Sequence, residues 1–367
     1  MRWILLNPGP VTLSARVRDA LGRPDLCHRE AEFAELQDGL RHKLAAVYGL
    51  DPAQWAAILL TGSGTAAVEA MLSSCVPADG RVLILQNGVY GERMLRIAQA
   101  HGLNCDHIEH AWNAAIDISA VRDALRRTAY SHVALVHHET TTGRLNELAP
   151  IAQLCRQAGV RLLIDGVSSF GAEHIDFTAW PIDACAAAAN KCLHGVPGTA
   201  FVIVRRAALP ALEQPRTVYL NLSAYLAQQD QHGTPFTQSV QTFYALDEAL
   251  DEFFEAGGWR ARQHLFRDRM TRIRTHLEGR GVTGLLSAAE SSCVLHAFEL
   301  PAQTSYQALH DALKTRGFII YAGQGALSEQ VFRISAMGDI TAADLDGLLS
   351  AVDAFLDRGM TVGPRSR

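Results

Sequence analysis

The chain has 367 residues, 48% of them apolar and 19% charged, a globular composition that excludes a disordered chain and leaves room for two or three domains. Its formal net charge of −5 comes without an acidic or basic block, which argues against a nucleic-acid partner or a polybasic membrane patch. No run approaches the roughly 20 apolar residues of a membrane span. The seven cysteines (Cys27, Cys75, Cys105, Cys155, Cys185, Cys192 and Cys293) are scattered and odd in number; they suit a reducing compartment, not a disulfide framework.

The opening "MRWILLNPGP" carries an apolar run too short for a signal peptide, and Pro8 breaks it. A soluble cytoplasmic protein is expected. From about residue 55 to 205 short apolar runs alternate with helical patterns. The strand candidates are "AAILL", "RVLIL", "HVALVH", "RLLID", "ACAAAA" and "AFVIV"; amphipathic stretches such as "TAAVEAMLSSC", "GERMLRIAQAHG" and "ELAPIAQLCRQAG" lie between them. Buried strands alternating with helices predict an α/β fold, a largely parallel sheet with helices on both faces. Ligands bind at the carboxyl ends of such strands. The positions to watch are therefore Thr61 to Thr65, Asn87 to Tyr90, His138 to Thr142, Asp165 and Lys191. Residues 239 to 279 hold two long helical patterns. "SCVLHAF", a helix around 304 to 316, "FIIYAG", "VFRIS" and a last helix around 342 to 357 follow, which predicts a smaller α+β domain. The tail "GPRSR" is expected to be loose.

"LLTGSGTAAVEAML" reads as a strand, a glycine turn and a helix start, where free amides and the helix dipole favour an anion. Its glycines come close to a dinucleotide fingerprint. That reading needs an acid about 20 positions on, and the next strand ends in Gln86-Asn87-Gly88 instead. A triphosphate loop would need a lysine that is absent. A monophosphate remains, and so does a bare turn with a helix cap.

Asp165 ends the run "RLLI". A strand-end aspartate is most often a turn former, but a buried one demands a cationic partner. Lys191 ends the next strand candidate, after "AAAAN" and before a glycine-rich turn. A lone lysine is usually a solvated charge; partial burial would lower its pKa and make it a nucleophile. Together, a phosphate-binding helix start, a buried aspartate and a lysine at successive strand ends match the needs of pyridoxal phosphate: amides for the phosphate, a carboxylate for the ring nitrogen and an amine for the aldehyde.

Nine stretches in order carry a resemblance: "LLNPGPV", "GSGTAAVEAML", "NGVYGERM", "HHETTTGRLN", "DGVSSFG", "ANKCLHGVPGTAFVI", "PFTQSVQTFYAL", "GFIIYAGQ" and "VFRISAMGDI". Over almost its whole length the chain resembles the class V, fold-type I aminotransferases, and most of all their 2-aminoethylphosphonate–pyruvate branch. The resemblance implies pyridoxal 5'-phosphate as cofactor, a mostly parallel seven-stranded sheet and a homodimer with shared active sites. It implies catalytic roles for Lys191 and Asp165. Ser63, Gly64 and Thr65 would cradle the phosphate. Tyr90 would stack on one face of the ring and Val167 on the other. Thr140 would approach the ring oxygen, with Asn190 beside Lys191 also touching the cofactor. Thr237 would reach the phosphate from the partner subunit. Gly9 and Arg333 would meet the substrate, Arg333 through its acidic group, and Arg29 is a second candidate cation. The pair His137 and His138 hints at a metal, but no accompanying ligand spacing supports one, and packing is the expected role. Arg333, between Phe332 and Ile334, also fits the solvent face of an edge strand.

The chain departs from that pattern at Asn7, at "TQS" after Phe236, in "LNLSAYLAQQDQHGTP" and at His138, all on the expected substrate side. The expected organisation is an N-terminal segment, residues 1–15, that contributes to the site, a cofactor-binding domain over 16–255 and a small domain over 256–367. The expected reaction passes the amino group of 2-aminoethylphosphonate to pyruvate. The alternatives are an alanine–glyoxylate or serine-type aminotransferase, an enzyme for a modified aminophosphonate, a pyridoxal-phosphate lyase, and a non-catalytic phosphate-binding protein. A desulfurase-type lyase needs a cysteine on a mobile loop, and Cys293 sits on a strand candidate instead.

Overall fold

A computed structural model describes residues 2–209 and 214–360; the tail "GPRSR" lies outside the described residues. A short strand, β1 (Ile4–Leu5), precedes the helices α1 (Ala15–Ala20) and α2 (Ala31–Ala46). The large sheet then begins with β2 (Trp55–Gly62), α3 (Gly64–Cys75), β3 (Arg81–Gln86), α4 (Val89–Ala100), β4 (Asn104–Glu109), α5 (Ile118–Arg127) and β5 (His132–Val136). A hairpin of β6 (His138–Glu139) and β7 (Arg144–Leu145) leads to α6 (Leu148–Ala158), β8 (Arg161–Asp165), β9 (Ile182–Ala188) and β10 (Gly198–Arg205). The helices α7 (Leu222–Gln229), α8 (Val240–Glu255) and α9 (Gly258–Gly279) follow. The chain ends in β11 (Leu295–Glu299), α10 (Tyr306–Lys314), β12 (Phe318–Ile319), β13 (Tyr321–Ala322), β14 (Val331–Ser335) and α11 (Ala342–Met360).

The large sheet has seven strands in the order β2-β10-β9-β8-β5-β3-β4. Only β10 runs against its neighbours; the other pairs are parallel, as expected for an α/β fold. The expected strands form because their apolar runs are buried on both faces. β4 was not expected. Its sequence "NCDHIE" mixes exposed and half-buried residues and has no fully buried one, as a polar edge strand does.

The alanines of β9 set the depth of the site. Ala184, Ala186 and Ala188 face one helix layer and pack with Ala67, Ala70 and Met71 of α3 in a single buried cluster. Small side chains on both surfaces let α3 lie close to the sheet, so its first residues reach the ends of β8 and β9. The opposite face is sealed by a second cluster that includes Phe33, Leu162, Ile164, Phe201, Phe243 and Phe253. Burying each such side chain is worth about 1.5–3 kcal/mol.

A third cluster joins Phe266, Met270 and Ile273 of α9 to Phe298, Phe332, Ile334 and Leu348, with Ile4 and Leu6 from the start of the chain. There β14 lies between β11 and β13. β1 pairs in parallel with β12, Ile4 opposite Phe318. The N-terminal segment thus belongs to the packing of the C-terminal sheets while its next residues reach the large sheet. No described helix is long and apolar enough to cross a membrane.

Candidate active site

A cavity of about 440 Å³ opens at the ends of β8 and β9 beside the start of α3. Ser63, Gly64, Thr65, Tyr90, Asp165, Val167, Asn190 and Lys191 line it. Of the residues to which the resemblance gives a cofactor or substrate role, or which were candidate cations, Gly9, Arg29, Thr140, Thr237 and Arg333 lie outside that lining.

Lys191 sits in the turn after β9, which the glycine-rich stretch around Gly195 and Gly198 allows to fold back. Its Nζ donates to the Pro8 carbonyl at 2.6 Å. Burial lowers its pKa, and the Arg333 and Arg93 charges push the same way against Cys192 and Asp165. Asp165, the last residue of β8, is 7% exposed. Its Oδ1 accepts from the Val167 amide at 2.9 Å. Burial pushes its carboxyl up to about 6; the amide, Arg93 and Lys191 hold it back from going further.

The start of α3 is open to a ligand. Ser63 caps it without a side-chain bond, and among the described residues the amides of Gly64 and Thr65 have no protein acceptor. A Cβ at Gly64 would come within 2.7 Å of Val167 Cγ1, so glycine is what lets helix start and ring-facing valine meet. Free amides at one end, a buried carboxylate at another and an amine of lowered pKa between apolar walls fit pyridoxal phosphate. Gly64, Thr65 and Ser63 would hold its phosphate, Asp165 its ring nitrogen and Lys191 its aldehyde.

Two residues of this region were given no role from the sequence, although Glu139 lies within the strand end His138 to Thr142. Arg93 lines the cavity, with its guanidinium 4.8 Å from the Tyr90 ring centroid. Its signal was present: it follows Tyr90 by three positions, on the same face of α4. Glu139 is fully buried and takes the amides of Tyr90 at 3.2 Å and Gly91 at 3.3 Å, with the Thr141 hydroxyl at 2.6 Å. It thereby clamps the start of α4, which carries Tyr90. Burial pushes its carboxyl up to about 7.

Arg333 is 3% exposed. The edge-strand reading fails because β14 is the middle strand of its sheet. Nε donates to the Ala322 carbonyl and Nη1 to the Thr140 carbonyl, both at 2.8 Å. Nη2 has no partner among the described residues. Thr140 itself is buried. Gly9 abuts Lys191: a Cβ there would stand 2.7 Å from both Cδ and Nζ. Arg29 and Thr237 are exposed, and Thr237 Oγ1 lies 3.5 Å from His28 Nε2. His137 Nδ1 bonds to Ser169 Oγ at 3.0 Å and His138 Nδ1 to the Ser168 carbonyl at 2.8 Å. Cys293 is buried, and burial pushes its thiol well up, so it is not a reactive thiolate.

The family model described as aminotransferase class-V matches residues 16–348. A 2-aminoethylphosphonate–pyruvate transaminase from Klebsiella pneumoniae is 36% identical over 359 residues, 96% of this chain and 97% of its own length. One from Aeromonas hydrophila is 37% identical over 95% of this chain and 94% of its own. Among solved structures, an alanine–glyoxylate aminotransferase from Nostoc superposes with a TM-score of 0.90 at 25% identity, covering 97% of this chain and 96% of that one. An aspartate aminotransferase of subgroup IV from Thermus thermophilus superposes with a TM-score of 0.88 at 28% identity, covering 97% and 99%. The chain belongs to the class V aminotransferases, a family of pyridoxal-phosphate enzymes.

Proposed function

We propose that the enzyme moves the amino group of 2-aminoethylphosphonate to pyruvate, giving phosphonoacetaldehyde and L-alanine. The observation that carries this reading is full-length identity of 34–37% to curated relatives named for that reaction. The site supports it. Arg333 is a buried cation held by two carbonyls at Nε and Nη1, and its remaining Nη2 would serve an anionic substrate.

When bound, pyridoxal phosphate supplies an aldehyde for the amino group and a ring that accepts the electron pair left at the substrate carbon. The protein's own residues do the rest. Lys191 would hold the aldehyde until the amine arrives, and its freed Nζ would then take a proton from the substrate carbon as base and deliver it as acid to the cofactor side of the new carbon–nitrogen bond. Its lowered pKa keeps a neutral fraction available for the task as base. Asp165 would keep a proton on the ring nitrogen by its negative charge. Tyr90 and Val167 would confine the ring, and Asn190 and Thr140 would also touch it. Arg333 holds the phosphonate in one half-reaction and the carboxylate in the other, with Gly9 leaving room for the substrate beside Lys191.

The proposed assembly is a cytoplasmic homodimer, with the partner subunit's Thr237 completing each phosphate site. Exposure of Thr237 away from its own cavity supports this. The proposed division runs 1–15, 16–255 and 256–367, supported by a cluster built mostly of C-terminal residues that also takes in Ile4 and Leu6. A second reading, alanine–glyoxylate transamination, is favoured by the Nostoc likeness. A panel of amino donors tested with pyruvate and with glyoxylate decides between them. Turnover of 2-aminoethylphosphonate with pyruvate supports the first reading; turnover of alanine with glyoxylate alone supports the second.

A further inference from the structure

Arg93 is a cation of the cavity for which the roles above have no use. Its Nη1 donates to Thr65 Oγ1 at 3.1 Å, and its guanidinium lies over Tyr90. Among the described residues no carboxylate pairs with it. The neighbouring acid, Glu92, is taken by Trp112 Nε1 at 2.8 Å. Asp165 feels its charge without bonding to it. A guanidinium has five N–H donors in a fixed fork, and Thr65 uses one. A half-buried cation without an acid, steadied on an aromatic face and turned towards a helix start with free amides, is arranged to meet an oxyanion from outside the protein.

We propose that Arg93 and the start of α3 form one oxyanion site for a tetrahedral phosphoryl or phosphonyl group, Arg93 adding the full charge that the Gly64 and Thr65 amides lack. That chemistry has two sources, the cofactor's phosphate and the phosphonate of the amino donor. Only the second rests on the reading under Proposed function. The competing role is mechanical: Arg93 braces Tyr90 and touches no anion.

The test uses full-length Arg93→Gln and Arg93→Lys proteins. Each is titrated, free of cofactor, with pyridoxal phosphate and with pyridoxal, and its Michaelis constants for 2-aminoethylphosphonate and pyruvate are measured. If Arg93 meets the cofactor, R93Q weakens pyridoxal phosphate binding roughly ten- to hundredfold, the worth of a charged hydrogen bond, and leaves pyridoxal unchanged. If it meets the donor, both aldehydes bind normally and the constant for 2-aminoethylphosphonate rises by the same factor while that for pyruvate stays. R93K falls between wild type and R93Q in either case. Equal weakening of the two aldehydes, or no change in any constant, overturns the proposal. Wild-type turnover of 2-aminoethylphosphonate is read in the same series, so failure of the substrate reading would leave the cofactor comparison standing.

Discussion

The Nζ of Lys191 donates to the carbonyl of Pro8 at 2.6 Å, across 183 residues of chain. Through β1 the same N-terminal segment pairs with β12, so the amine is fixed from the C-terminal side of the molecule as well as from β9. Gly9 makes the contact close: its φ is +107°, and a Cβ would stand 2.7 Å from Nζ. Gly9→Ala is expected to keep the fold but lower kcat by about a hundredfold, the effect of displacing a reacting group by an ångström. Steady-state kinetics beside a melting curve checks this; unchanged kcat would mean that Lys191 moves freely under the segment.

Lys191→Ala is expected to abolish alanine formation and the visible absorbance of lysine-bound cofactor. Its melting temperature should match wild type or exceed it, because the side chain is a buried amine whose charge burial disfavours. An active K191A enzyme would exclude Lys191 as the proton carrier.

Two buried carboxylates predict a pH-dependent effect. Asp165 and Glu139 are pushed up to about 6 and about 7, above the value of about 4 in an unfolded chain. The unfolded state therefore binds fewer protons between those limits, and each group costs stability as pH rises through them. Buried histidines, His137 and His138 at about 4, act the opposite way below about pH 6.5, so variant and wild type must be compared at each pH. Cofactor-free Asp165→Asn is expected to gain on the order of 3 kcal/mol at pH 8 and nothing near pH 4. The same variant should lose most transaminase activity, since an amide cannot hold the ring nitrogen's proton. Denaturant melts at the two pH values, with activity in parallel, provide the check.

Asp165 was legible because a parallel strand buried on both faces reads as an apolar run, and the residue that ends the run stands out; Lys191 was legible because it follows the alanine run of β9 by three residues. Glu139 was not. Its partners, the Tyr90 and Gly91 amides, lie on a helix start 49 and 48 residues earlier, and no local pattern connects a strand-end glutamate with them. β4 was missed for a different reason: an edge strand with polar residues on its open side lacks the apolar run. Arg333 shows a limit of alternation. Phe332 and Ile334 mark one face of β14, but whether the other face meets water or protein depends on the 138–143 hairpin, whose Thr140 carbonyl covers the guanidinium.

Arg333→Lys is expected to raise the Michaelis constants of both substrates and leave cofactor absorbance normal. An ammonium cannot hold the Ala322 and Thr140 carbonyls and still present a fork to an oxyanion. The loss in kcat/KM should be roughly ten- to hundredfold. Unchanged constants for both substrates would move the anion site elsewhere, with Arg29 the next residue to replace.

Thr237 tests whether two chains build each site. It is exposed and 3.5 Å from His28, outside the cavity of its own chain. Thr237→Glu would set a carboxylate against the phosphate of whichever site it serves, so the variant alone should bind cofactor poorly. Co-expression with Lys191→Ala separates the two possibilities. If Thr237 acts within its own chain, no subunit of a mixed dimer has both an intact Lys191 and an intact Thr237, and activity stays absent. If it acts across the interface, each mixed dimer contains one site with Lys191 from the T237E chain and Thr237 from the K191A chain. Random pairing in a twofold dimer makes half the dimers mixed, and one good site in each returns about a quarter of wild-type activity. Activity near that level establishes a shared site; none, with mixed dimers demonstrated by differential tags, shows that Thr237 does not complete the partner subunit's site.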